Sequence, residues 1–158
     1  MKLKGSCHCG AVRFSFDSET PYPYMYCYCS ICRKTAGGGG YAINIMGKAD
    51  TLKIRGERNL SIYRAKISPR SKPSRGRRHF CKKCGSALWA WDPRWPKWFY
   101  PFASAIDSPL PKPKERQHIL LNYKPAWVPV HAGARDKRFR EYPREAIIDW
   151  HTRRGLLR

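Results

Sequence analysis

The residues best suited to chemistry in this chain are its seven cysteines, and they come in groups. They fall into "CHCG" (Cys7, Cys9), "CYCSIC" (Cys27, Cys29, Cys32) and "CKKCG" (Cys81, Cys84). Thiolates this close in sequence are soft ligands within reach of one metal ion, and zinc in a closed protein site takes four ligands. A CxxCG run is a zinc knuckle, whose glycine permits the tight turn that lets backbone N–H groups face the sulfurs. "CHCG" has the same terminal glycine with one residue fewer, and on extended chain its two cysteines point the same way. Two pairs make four ligands. Cys7, Cys9, Cys81 and Cys84 are therefore expected to hold a closed zinc site that ties the first strand to a hairpin more than 70 positions later.

That pairing leaves Cys27, Cys29 and Cys32 together in what reads as one short loop. Three protein ligands with an open position is the arrangement of catalytic zinc, the fourth ligand being water or a substrate thiol. Two alternatives stay open on spacing alone. A histidine such as His79, His118 or His131 closes the site, or the three are ordinary reduced cysteines.

The elements that must position these groups read as one all-β domain over residues 1–158. "AVRFSF" alternates Val12, Phe14 and Phe16 with small or polar neighbours, as a half-buried strand does. "YAINIM", "TLKIRG" and "RNLSIYRA" alternate similarly, the last with Leu60 and Ile62 on one face. Thirteen prolines and twelve glycines leave little room for long helices. The exception is the short C-terminal helix predicted for "PREAIIDWHTRRGLL", which opens on proline and acidic Glu145 and closes on Arg153, Arg154 and Gly155.

Composition narrows the setting. No apolar run approaches the roughly 20 residues of a membrane span, and "MKLKGSCHCG" lacks the apolar stretch of a secretory signal. A cytoplasmic protein with no membrane partner is expected, in a reducing compartment where an odd number of cysteines favours metal ligation over disulfides. The formal charge of +21 makes anions of any kind eligible partners. "SPRSKPSRGRR", Ser68 to Arg78, reads as an exposed loop that could meet nucleic acid, although no aromatic is interleaved for base stacking.

Three runs in this order, "CHCGAVRF", "CYCSICRKTAG" and "FCKKCGSAL", resemble the family of the glutathione-dependent formaldehyde-activating enzyme, which includes centromere protein V. "PFASAIDSPLP", "HILLNYKPAW" and the terminal "WHTRRGL" are similar to further family segments, so the resemblance covers most of the chain. It implies a zinc-bound β-tent type sandwich and two zinc ions per chain. Cys7, Cys9, Cys81 and Cys84 would hold a structural zinc, and Cys27, Cys29 and Cys32 the zinc associated with activity. It also implies carbon–sulfur lyase chemistry, in which glutathione thiolate adds to formaldehyde to give S-hydroxymethylglutathione. Arg33 and Lys34, directly after the triad, are the first candidates to meet the carboxylates of glutathione.

Neighbouring features are read more plainly. Gly37 to Gly40 form no phosphate-loop pattern and read as a turn. Trp89 and Trp91 are expected in the core, Trp95 and Trp98 beside prolines are candidates to line a pocket, and Tyr26 and Tyr28 to shape the entrance to the open zinc position. The rival to the enzyme is a non-catalytic, zinc-stabilised module that binds nucleic acid through its basic surface.

Overall fold

The computed structural model describes residues 1–19 and 23–157. In chain order its first strands are β1 (Lys2–Ser6), β2 (Arg13–Asp17), β3 (Tyr24–Cys27), β4 (Ala42–Asn44), β5 (Gly47–Lys48) and β6 (Lys53–Arg55). They are followed by β7 (Leu60–Tyr63), β8 (Arg77–Cys81), β9 (Ala87–Trp91), β10 (Trp98–Pro101), β11 (Arg116–Ile119) and β12 (Lys137–Arg138). Two short helices complete the chain, α1 (Ser30–Ala36) and α2 (Ile147–Arg153). The fold is all-β with a short C-terminal helix, as the sequence predicts. The second helix, α1, is a departure: what reads as a loop around Cys29 and Cys32 is helical.

Two compact units share the chain. The first comprises Met1–Ser18 and Gly47–Pro109. It contains a three-stranded sheet in the order β1-β2-β6 and a five-stranded sheet in the order β5-β10-β9-β8-β7. The alternation in β2 does what period-two patterning requires: Phe14 and Phe16 are buried and Arg13 and Asp17 exposed. Antiparallel pairing sets Leu3 opposite Phe16 and Gly5 opposite Phe14. Gly5 is needed there, because a Cβ would come within 2.4 Å of both the Phe14 ring and the Ala105 carbonyl oxygen. The core is aromatic. Phe14 lies 5.0 Å from Trp89, and Phe16 meets Phe99 edge-on at 4.9 Å. Each such ring contributes roughly 1.5–3 kcal/mol by leaving water.

The second unit comprises Glu19–Met46 and Leu110–Arg158. Its sheet runs β12-β11-β3-β4, with β3 parallel to β11 and antiparallel to β4. The register pairs His118 with Tyr26 and Ile119 with Cys27. The helix α2 begins two residues after Glu145 and ends where Gly155 takes a φ of +61°. Trp150 and His151 are its buried side chains. The Trp150 indole N–H donates to Glu115, and the Arg154 guanidinium lies 4.0 Å over the same ring. Among the described residues no helix is long and apolar enough to cross a membrane.

Candidate metal centres and active site

Both knuckles in the first unit are hairpin turns. Cys7 follows β1, and the Gly10 N–H closes the turn onto the Cys7 carbonyl at 3.0 Å, with Gly10 at a φ of +71°. Cys81 ends β8, the Gly85 N–H donates to its carbonyl at 2.8 Å, and Gly85 has a φ of +74°. Cys9 thus lies in a turn, and not on the extended chain that the sequence suggests. Glycine is required after each pair because the chain turns through the left-handed region there.

The two turns bring the sulfurs of Cys7, Cys9, Cys81 and Cys84 within 4.8 Å of one another. Tetrahedral zinc with bonds of about 2.3 Å holds its sulfurs about 3.8 Å apart. The Cys7–Cys9 and Cys9–Cys81 separations are 3.6 and 3.8 Å, so the donor set fits the ion in both type and spacing. The sulfurs are not alike: against a backbone hydrogen bond at Ala11, burial and the neighbouring thiols push Cys9 up to about 11. The Val12 N–H points at the Cys7 sulfur at 3.2 Å, and the Ser86 hydroxyl leads the contacts that lower the Cys84 thiol to about 5.

The second cluster is local to the second unit. Cys27 closes β3, Cys29 is the N-cap of α1, and Cys32 stands in its first turn. The Cys29 sulfur accepts the Cys32 N–H at 3.3 Å, a capping role usually taken by Ser, Thr, Asp or Asn. All three sulfurs lie within 4.8 Å of one another, with Cys27 and Cys32 buried and Cys29 partly so. Hydrogen bonds from Cys27 and Cys32 push the Cys29 thiol down to about 2, against its burial, while the same contacts and burial push Cys27 up. The shifts favour a thiolate at Cys29 and a thiol at Cys27, and a metal ion bound by all three would require each as thiolate.

Arg33 and Lys34 follow on α1. The Arg33 Nε is buried and has no hydrogen-bond partner among the described residues, whereas Lys34 is exposed. Of the histidines weighed for closing the three-cysteine site, none joins its cluster. His131 is exposed, and His79 lies in the first unit stacked on Trp89 at 5.0 Å. His118 is committed elsewhere.

The arrangement around His118 was not legible in the sequence. Its Nδ1 lies 2.8 Å from the Tyr28 hydroxyl, and its Nε2 lies 3.6 Å from Asp136 Oδ2. The carboxylate beside Nε2 favours the proton there, so Nδ1 accepts from Tyr28. Asp136 also accepts the N–H groups of Arg116 and Gly133 and pairs with the Arg116 guanidinium at 2.8 Å. Burial pushes the Asp136 carboxyl up, but these donors win and hold it below the usual range. Burial lowers His118 despite the carboxylate. Tyr28, only 1% exposed, is therefore part of a buried network and forms no entrance; burial raises its hydroxyl to about 12. A histidine inside the apolar run "HILL" was the one available signal.

Elsewhere, Trp89 is buried as expected, while Trp95 is 49% exposed and neither it nor Trp98 lines the cavity described below. Gly40 is a packing glycine with a φ of +92°, and its missing Cβ leaves room for Val128. The basic run Ser68 to Arg78 is shorter as a loop than it reads, because Arg77 and Arg78 belong to β8.

Comparisons with known proteins supply the family. The profile of the family "Glutathione-dependent formaldehyde-activating enzyme" matches residues 2–120. A protein of Halomonas elongata, named provisionally as a glutathione-dependent formaldehyde-activating enzyme, is 58% identical over 156 residues, covering 99% of this chain and 98% of its own. The crystal structure of a Rhodobacter sphaeroides protein is similar with a TM-score of 0.54 and 25% identity, over 68% of this chain and 91% of that one. The chain belongs to the glutathione-dependent formaldehyde-activating enzyme family.

Proposed function

We propose that this chain joins glutathione to formaldehyde at Cys27, Cys29 and Cys32, and separates them in the reverse direction. The observation that carries the reading is the three-sulfur cluster itself. Among the described residues no histidine, carboxylate or fourth cysteine completes it, which suits a position reserved for a substrate thiol. Zinc held there would keep a bound thiol deprotonated near neutral pH. The glutathione sulfur attacks the formaldehyde carbon, a carbon–sulfur bond forms, and the carbonyl electron pair moves to oxygen. The proton given up by the thiol ends on that oxygen as the hydroxyl of S-hydroxymethylglutathione. Breaking the same bond in reverse is carbon–sulfur lyase chemistry.

The other parts follow from placement. Arg33, with its buried and unpartnered Nε, offers a guanidinium fork to a glutathione carboxylate, and exposed Lys34 assists approach. Cys7, Cys9, Cys81 and Cys84 hold a structural zinc, the whole chain acting as one functional domain with two ions. None of the seven cysteines is joined in a disulfide, which suits a reducing cytoplasm.

The test is exchange spectroscopy by NMR on glutathione and formaldehyde at equilibrium. Because the thiol adds to formaldehyde unaided, the readout is the rate of interconversion above the uncatalysed rate. Wild type should raise it and Cys29→Ala should not; equal rates with both proteins would reject the reading. A second reading, nucleic-acid binding through the basic surface, draws on the run of cations from Arg64 to Arg75, ordered by the Arg64 guanidinium on the Ser74 carbonyl at 2.8 Å. It requires an affinity that falls steeply with salt and ignores thiols.

A further inference from the structure

The first unit contains a cavity of about 480 Å³ that no cysteine lines. Its volume is in the range of small-molecule sites. Trp89 and Phe99, 2% and 1% exposed, are the most buried of its lining residues. Ile54 of β6 and Ile62 of β7 line it as well, and Ile62 is left 49% exposed. An apolar ligand would take this apolar surface out of water.

Its charged groups are few and specific. On β8, Arg77 and His79 are two apart and so share the face that lines the cavity. The Arg77 guanidinium is held 5.1 Å over the Trp91 ring, and among the described residues no carboxylate pairs with it. His79 lies almost flat on Trp89, at an interplanar angle of 21°. One acid, Glu57, also lines the cavity and is exposed. A lone guanidinium beside aromatic and branched aliphatic walls suits one carboxylate on an apolar body. Glu57 opposes a second negative charge.

We infer that this cavity binds a small monocarboxylate with an aromatic or branched apolar body, its carboxylate on Arg77 and its body against Trp89, Trp91 and Ile62. The site is separate in residues from both cysteine clusters and does not depend on the proposed reaction.

The probe is 3-phenylpropionate, titrated into the zinc-loaded protein and followed by tryptophan fluorescence and by amide shifts in NMR. Saturable binding is expected at millimolar concentration, with shifts concentrated on β8 and β9. Arg77→Gln should weaken it about tenfold or more, as loss of a charge-assisted hydrogen bond does. Glu57→Gln should strengthen it, and Cys29→Ala should leave it unchanged. Amide shifts outside β8 and β9 that match wild type, measured on Arg77→Gln, establish that this variant is folded. Absence of saturable binding would overturn the inference. So would equal affinity for the neutral 3-phenylpropanamide, or preference for phenethylammonium that Glu57→Gln abolishes.

Discussion

Replacing Cys84 with Ser separates a metal cluster from ordinary packing. Cys84 is exposed in the β8–β9 turn, where a surface substitution ordinarily changes stability by no more than about 0.5 kcal/mol. If the four sulfurs hold zinc, the same change opens a staple between segments far apart in sequence. The shortest span across it, Cys9 to Cys81, is 72 residues. Treated as a cross-link that closes a loop of that length, the staple is worth about 4 kcal/mol at 25 °C through the entropy of the unfolded chain. A domain's whole stability is about 5–15 kcal/mol, so the variant should lose between about a quarter and most of it. The assay is urea denaturation of wild type and Cys84→Ser, each with and without chelator. Wild type should fall by about this amount when chelated, and the variant should respond far less. A Cys84→Ser midpoint within about 0.5 kcal/mol of wild type, with full zinc content, would refute the cluster as a structural staple.

Two further outcomes test the second unit. Gly40→Ala places a Cβ 2.2 Å from Val128 Cγ2 at a φ of +92°, and should cost about 3 kcal/mol in thermal or urea denaturation; the neighbouring Gly39→Ala, whose Cβ meets nothing closer than 3.9 Å, should be nearly neutral, and equal losses would contradict the packing. Asp136→Asn should cost about 2 kcal/mol at pH 7 by breaking the pair with Arg116 and weakening two backbone hydrogen bonds. Because the folded Asp136 carboxyl is held below its unfolded value near 3.9, its stabilisation is present above that pH and disappears as pH falls through the folded value. The gap between wild type and variant should therefore close in acid, and a gap constant from neutral to strongly acid pH would contradict it.

Local chemistry was legible, and of the distant contacts only the meeting of the two cysteine pairs, because four ligands had to be found for one ion. The two CG-terminated pairs could be read because each is a complete turn within a few residues, glycine included. Phe14 and Phe16 could be read because a strand announces itself by alternation. The helix α1 could not: at seven residues it is under two turns, too short for a 3.6-residue period, and its N-cap is a cysteine. Tyr28, directly after β3, meets His118 across 90 positions because β3 and β11 pair in parallel, which no local pattern encodes. The cavity beside Arg77 is formed by strands of two sheets, so its residues read individually as surface or core.

The central claim is an open, thiol-accepting metal site at Cys27, Cys29 and Cys32. Native mass spectrometry should count two zinc ions in wild type and one in a folded Cys29→Ala, since the four-cysteine cluster lies in the other unit. The decisive measurement is then glutathione titration of the cobalt-substituted protein, whose absorption reports ligand exchange. Wild type should change spectrum as thiol enters, and Cys29→Ala should not. A wild-type spectrum of four protein ligands, indifferent to glutathione, would contradict the account.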